Sequence, residues 1–236
     1  MLKVENLRKA FGGLQALKGV SFEVPDRAIL GVIGMNGSGK TTLLNCINGL
    51  YQADDGHIGL AGRDATRQTP MQAALRGIGR TFQVPRVFPR LTLDENLEIA
   101  LIPHGVAAGV ARQRADYWLE KVLLKRLRAN HASELSGGQQ KLLELARIMV
   151  TGPRLILLDE PFAGVNPELA LLMIDIIRKI PAEDGCSIML VSHDLTSIYQ
   201  LSDHIIVLNE GAVISEGDAQ HVRNDPLVVE AYLGAD

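Results

Sequence analysis

The 236-residue sequence is poor in cysteine, with only Cys46 and Cys186, and aromatic residues make up 4% of it. Two thiols cannot build a disulfide framework, and such sparing use of cysteine suits a reducing compartment. There is no excess of basic charge: Lys and Arg number 24 against 27 Asp and Glu, a formal net charge of -3. That argues against a general nucleic-acid binder, which carries a basic footprint. No run approaches the ~18 uncharged apolar residues of a membrane span. The richest, Leu169 to Ile177, already contains Asp175. The opening MLKVENLRKAFGG lacks the apolar stretch of a signal peptide, which predicts an intracellular chain. Low-complexity segments and internal repeats are also missing. What is present is ordinary globular usage, 47% hydrophobic and 22% charged, in a chain long enough to bury a large core unaided.

Short aliphatic runs bounded by turn residues read as buried strands: Ile29–Ile33, Leu155–Leu158, Ile188–Val191 and Ile205–Leu208. Helical patterns alternate with them at Thr41–Asn48, Gly138–Val150 and Pro167–Ile180. Asn166-Pro167-Glu168 supplies an N-cap amide, a proline at the first helical position and a carboxylate near the positive end of the dipole. Alternation of strand and helix predicts an α/β fold with a parallel sheet. Leu2–Val4 and Ser21–Val24 predict a small β layer at the start. From Phe82 to Leu135 strand signals vanish, Thr92-x-x-Glu95 reads as a capping box opening a helix to about Leu101, and Val110–Arg128 reads as a second helix. The middle is therefore expected to be an inserted helical subdomain, about 84–149, within a core formed by about 1–83 and 150–236. The tail predicts a strand at Ala212–Glu216 and a helix at Leu227–Leu233.

Gly34-Met35-Asn36-Gly37-Ser38-Gly39-Lys40-Thr41 fits G-x-x-x-x-G-K-[ST], directly after one strand and before a helix. In that setting the glycines let backbone N–H groups converge on phosphate oxygens at a helix N-terminus. Lys40 would pair with the β- and γ-phosphates and the Thr41 hydroxyl would bind Mg²⁺; Thr42 follows at the start of the same helix. Leu155-Ile156-Leu157-Leu158-Asp159-Glu160 is an aliphatic strand that ends in acids at the sheet's carboxyl edge. Asp159 suits Mg²⁺, and Glu160 suits polarising a water for attack on the γ-phosphate.

Leu135-Ser136-Gly137-Gly138-Gln139 is similar to the signature motif of the ATP-binding-cassette ATPases, and it lies between the two phosphate motifs in that family's order. Gln83 resembles the family's Q-loop glutamine, His193 in Val191-Ser192-His193-Asp194 its switch histidine, and Phe11 the aromatic that stacks on adenine. Ala163-Gly164-Val165-Asn166-Pro167 resembles the D-loop, with Asn166 where most members carry Asp. The resemblance spans essentially the whole chain. It implies a P-loop NTPase core with a parallel sheet, an antiparallel β layer and a helical insert. It also implies two ATPs held head to tail between two cassettes, with Ser136, Gly137, Gly138 and Gln139 reaching the partner's nucleotide. Glu160, His193 and Gln83 are then the catalytic group, and Thr41, Gln83 and Asp159 the Mg²⁺ ligands.

Within that superfamily, Phe11-Gly12-Gly13-Leu14, Gly79-Arg80-Thr81-Phe82-Gln83 with Phe88-Pro89, Asn166 and the ending Glu230-Ala231-Tyr232-Leu233-Gly234 resemble the branched-chain amino-acid uptake transporters. The implied partners are a second cassette, either this chain or a paralogue, and transmembrane permease subunits, with a substrate-binding protein acting indirectly and no nucleic acid. The implied place is peripheral, on the cytoplasmic face of the inner membrane. A lipopolysaccharide-type exporter, a urea or amide importer and a soluble non-transport cassette share parts of the pattern, and the signature's Ser-Gly-Gly departs from the aromatic third residue common in the uptake subgroup. Arg76, Arg80, Arg86 and Arg90, with Arg112, Arg114, Lys121, Lys125, Arg126 and Arg128, offer a basic surface to a membrane partner or, equally, a solvated helix face. Tyr117 and Trp118 read as core, and Cys46 as helix packing.

Overall fold

In the computed structural model, which describes residues 1–233, every central strand is apolar on both faces because both are covered. Among the described residues ten strands form two sheets. The first sheet pairs β1 (Leu2–Phe11), β2 (Leu14–Val24), β4 (Asp55–Leu60) and β5 (Arg63–Asp64) in the order β2-β1-β4-β5, antiparallel throughout. The second has the order β10-β9-β3-β8-β7-β6. Its members are β3 (Ile29–Ile33), β6 (Ile78–Arg80), β7 (Leu155–Asp159), β8 (Ser187–Val191), β9 (His204–Asn209) and β10 (Ala212–Gly217). All pair in parallel except β10, which runs antiparallel to β9.

Alternation along these strands divides the core in two. Leu30, Val32, Leu155, Leu157, Met189 and Val191 face the antiparallel sheet, with α1 (Lys40–Ile47) packed among them through Leu43, Leu44, Cys46 and Ile47. Ile29, Ile33, Ile156, Leu158, Ile188 and Leu190 face the other way. There they meet α6 (Pro167–Glu183), α7 (Leu195–Leu201) and the helices that lie between β6 and β7. Those helices are α3 (Leu93–Leu101), α4 (Ala108–Lys121) and α5 (Gly137–Met149), which pack on one another through Leu97, Trp118, Leu119 and Leu142. The remaining helices are short: α2 (Pro70–Leu75), α8 (Ala219–Asn224) and α9 (Pro226–Leu233).

Several expectations need correction. Val110–Arg128 is not one helix: α4 ends at Lys121, and Leu123 adopts φ 57°. The Leu124 N–H bonds to the Leu119 carbonyl and the Leu123 N–H to that of Glu120, a C-terminal cap in which leucine sits where glycine is usual. The burial of Leu124, only 3% exposed, holds that turn in place. In α6 the helix continues past Ile180 through Pro181, because Ile177, Ile180 and Pro181 are all buried there; tertiary packing outweighs the lost backbone donor. β1 and β2 run far beyond Leu2–Val4 and Ser21–Val24, since bulges near Asn6 and Arg8 break the alternation that would have revealed them. Tyr117 is half exposed, whereas Trp118 is core.

Part of the basic surface is internal pairing, while Arg76, Arg86, Arg90, Arg112, Arg114 and Arg126 are exposed. Lys121 meets Glu183 and Asp184, Lys125 meets Asp116 and Glu120, Arg128 meets Asp94 and Asp116, and Arg80 is buried.

Candidate nucleotide site

The loop between β3 and α1 sits at the carboxyl end of a central strand of the parallel sheet, which is flanked by β8 on one side and β9 on the other. Gly34 opens it at φ 154°, and a Cβ there would lie 2.1 Å from the Leu208 carbonyl oxygen, so no larger residue fits. Gly39, at φ 106°, ends the loop against the Ala16 carbonyl. Between them the ammonium of Lys40 donates to the carbonyls of Gly34 (2.7 Å) and Met35 (2.9 Å). Burial lowers the Lys40 pKa, with Glu160 and Asp159 opposing.

A cleft of about 890 Å³ opens over this loop. It is lined by Gly34, Asn36, Gly37, Gly39, Lys40, Thr41 and Thr42 and, from elsewhere, by Phe11, Gln83, Asp159, Glu160 and His193. Ser38 departs from expectation: it is buried beneath the loop at 2% exposure, and its N–H bonds to the Met35 carbonyl. Phe11 is 43% exposed and rests edge-on against Tyr51, with ring centres 5.2 Å apart, so it is a presented ring and not a core residue.

Asp159 ends β7 with its N–H donating to the Thr81 hydroxyl. Its carboxylate lies 3.5 Å from Arg80, which also donates to the Asn45 side-chain oxygen at 2.5 Å. Burial raises the Asp159 pKa, and the Arg80 guanidinium offsets only part of that rise. Next in the chain, Glu160 takes φ 48°, an uncommon conformation for a residue with a Cβ. Its carboxylate accepts from the His193 backbone N–H (2.9 Å) and the Ser192 hydroxyl (3.1 Å), and lies 2.8 Å from His193 Nδ1. Two strand ends, β7 and β8, thus bring acid and imidazole together from 33 residues apart.

The signature segment lies elsewhere. Ser136 N-caps α5 in a reciprocal capping box with Gln139, and none of Ser136, Gly137, Gly138 or Gln139 lines the cleft. A Cβ on Gly138 would press on Leu169, whereas one on Gly137 would meet open space. Among the described residues nothing therefore crowds a side chain at 137. Asn166 N-caps α6 by accepting from the Leu169 N–H at 2.9 Å.

Residue-pattern reasoning missed Asn45 and Ser192 and gave Arg80 the wrong part. Nothing in the pattern marks Arg80 as the partner of Asp159, because 79 residues separate them.

A glycine-rich loop at the switch point of a parallel sheet, with an acid-tipped strand and a carboxylate–imidazole pair on the same cleft, defines a P-loop nucleotide-binding domain. The comparisons narrow that class. A family model described as ABC transporter matches residues 17–163, and one described as branched-chain amino acid ATP-binding cassette transporter matches 212–236. The chain is 38% identical to the high-affinity branched-chain amino acid transport ATP-binding protein BraF of Pseudomonas aeruginosa, over 99% of this chain and 98% of that one. A solved ATP-binding cassette of an ABC transporter in its ADP conformation superposes with a TM-score of 0.88 at 36% identity, covering 99% and 98% of the two chains. A dimeric cassette in a post-hydrolysis state, bound to ADP and Pi, superposes at 0.83 with 27% identity, covering 93% and 99%. This chain belongs to the ABC transporter ATPases, and it is a nucleotide-binding ATPase of that family.

Proposed function

We propose that this chain is the ATP-hydrolysing motor of an importer for branched-chain amino acids, working as one of a pair of cassettes beneath membrane permease subunits. The observation that carries the reading is the meeting, in one cleft, of the phosphate loop, Asp159 and a Glu160 carboxylate 2.8 Å from His193.

ATP would stack its adenine on Phe11 and lay its phosphates over the loop N–H groups and the N-terminus of α1. Lys40 then exchanges loop carbonyls for β- and γ-phosphate oxygens. Mg²⁺ prefers oxygen donors together with phosphates. The Thr41 hydroxyl, the Asp159 carboxylate and the Gln83 amide oxygen line the same cleft and fit that need; they would hold the ion, which offsets phosphate charge. Glu160 takes the proton of the attacking water, and His193 keeps its carboxylate in line.

The signature residues Ser136, Gly137, Gly138 and Gln139 lie outside this cleft, which supports their serving a second cassette's nucleotide, with open Gly137 admitting the phosphates. Residues 84–149 act as the helical unit carrying that signature. Among the described residues no helix is long and apolar enough to cross a membrane. We place the chain peripherally on the cytoplasmic face, reaching its substrate-binding protein only through the permeases. The amino-acid cargo follows from the likeness to BraF and the matched C-terminal segment.

The test is leucine uptake by cells lacking their own branched-chain uptake ATPase, after co-expression of this chain with branched-chain amino-acid permease subunits. Uptake restored by wild type and not by Lys40→Ala supports the assignment. Restored uptake of urea, or leucine uptake independent of this chain, contradicts it.

A further inference from the structure

Two charged side chains on α5 are buried although neither touches the nucleotide cleft: Lys141 is 8% exposed and Glu144 is 1% exposed. They stand three residues apart, on one face of the helix that the signature motif opens. Burying an ammonium is costly unless its protons find acceptors. Lys141 Nζ finds two, the carbonyl oxygens of Glu160 (2.8 Å) and Ala163 (2.7 Å). Burial lowers the Lys141 pKa, with Glu144, Glu160 and Asp159 opposing.

Those carbonyls bracket the turn in which Glu160 adopts its left-handed backbone. A residue with a Cβ leaves that conformation readily unless its surroundings fix it. The Glu160 carbonyl, gripped from behind, sets the plane of the following peptide. It thereby sets the direction in which the carboxylate leaves toward His193 and the cleft.

We propose that Lys141 is a positioning residue for ATP hydrolysis, fixing the Glu160–Ala163 turn from the signature helix so that Glu160 is aimed at the attacking water. Lys141 lies five residues beyond Ser136, the N-cap of the same helix. A shift of the signature motif on meeting a second cassette's nucleotide is therefore passed directly to the turn that carries Glu160. This inference rests on the reading of Glu160 as the proton acceptor.

The experiment uses the full chain as wild type, Lys141→Met, Lys141→Arg and Glu160→Gln. It measures kcat and KM for Mg-ATP and the affinity for a fluorescent ATP analogue. Lys141→Met, which keeps the stem and loses the donors, is expected to lower kcat about tenfold to a hundredfold. KM and analogue affinity stay within about twofold, and Lys141→Arg, which keeps donors, recovers part of the lost kcat. The inference is overturned if Lys141→Met turns over like wild type while Glu160→Gln does not. It is equally overturned if Lys141→Met loses analogue affinity in step with kcat, since that marks general damage to the fold. Should Lys141→Met fail to fold, Lys141→Gln, which is uncharged and retains only an amide NH₂ as donor group, is judged by the same two criteria. Normal turnover by Glu160→Gln would instead remove the reading of Glu160 itself, a result separable from all of these.

Discussion

Glu144 offers a quantitative test of how the segment around Gln83 is held. Its carboxylate accepts from the Arg86 N–H at 2.8 Å and, more weakly, from the Phe82 N–H at 3.4 Å. A hydrogen bond to a charged acceptor contributes about 1.5–3 kcal/mol, and one near the distance limit contributes little. Arg86 is exposed, so its freed N–H can turn to water, and removing a buried charge recovers part of the loss. Glu144→Ala should therefore destabilise the fold by about 1–2 kcal/mol. Glu144→Gln keeps an oxygen for the Arg86 N–H and should stay within about 1 kcal/mol of wild type.

The pH dependence has a definite sign. Burial raises the Glu144 pKa above its ordinary value of 4.5, with the Arg86 and Phe82 N–H groups opposing. The folded state thus binds the proton more tightly than the unfolded state, so this group's contribution is most favourable below the unfolded pKa. It declines as pH rises through the window between the unfolded and the folded values. Wild type should gain on Glu144→Gln as pH is lowered through that window. Urea midpoints at several pH values read both effects. A Glu144→Ala midpoint equal to wild type, or a wild-type advantage over Glu144→Gln that grows with pH, would refute the reasoning.

Two further outcomes follow from the core and the caps. Leu123 holds φ 57° at the end of α4 with its side chain exposed, so Leu123→Gly should stabilise the chain by about 0.5–1 kcal/mol in urea unfolding; a loss of stability would mean that the side chain packs usefully. Burial pushes the Cys46 thiol up to about 11 and the Cys186 thiol up to about 12. The native chain should resist a thiol reagent at pH 8 and react at both positions once unfolded, and prompt labelling of the native chain would contradict that burial.

The readable parts of the sequence were those whose information is local. Ile29–Ile33 is a strand with the expected limits because a short aliphatic run between turns leaves little choice, and Thr92-x-x-Glu95 caps α3 as its spacing requires. The phosphate loop lay in one contiguous motif, and the structure sets all of it but Ser38 on the cleft with Asp159, Glu160 and His193. What stayed hidden depended on distant partners. β4 and β5 lack strong periodicity and exist because β1 accepts them, whereas α2 carries a local capping box of Thr69 with Gln72 that the pattern reading passed over. Val110–Arg128 looked like one helix because helical propensity continues past Lys121; only the buried Leu124 shows why the chain turns. Arg80 read as surface charge until the fold placed it against Asp159 and Asn45. Nothing in the Gly138–Val150 pattern marks Lys141 and Glu144, and their role became visible only with the carbonyls and N–H groups they meet. The residues from Gly234 onward, including the last of the uptake-type ending, lie outside the described residues.

The most direct test of the central claim is the rate of Mg-ATP hydrolysis by Glu160→Gln, measured beside its affinity for ATP and compared with wild type and Lys40→Ala. Removing a general base typically costs about 10²–10⁴-fold in rate. The account predicts that Glu160→Gln loses turnover on that scale while binding ATP as wild type does, and that Lys40→Ala fails at binding. Turnover by Glu160→Gln within a few-fold of wild type would contradict it.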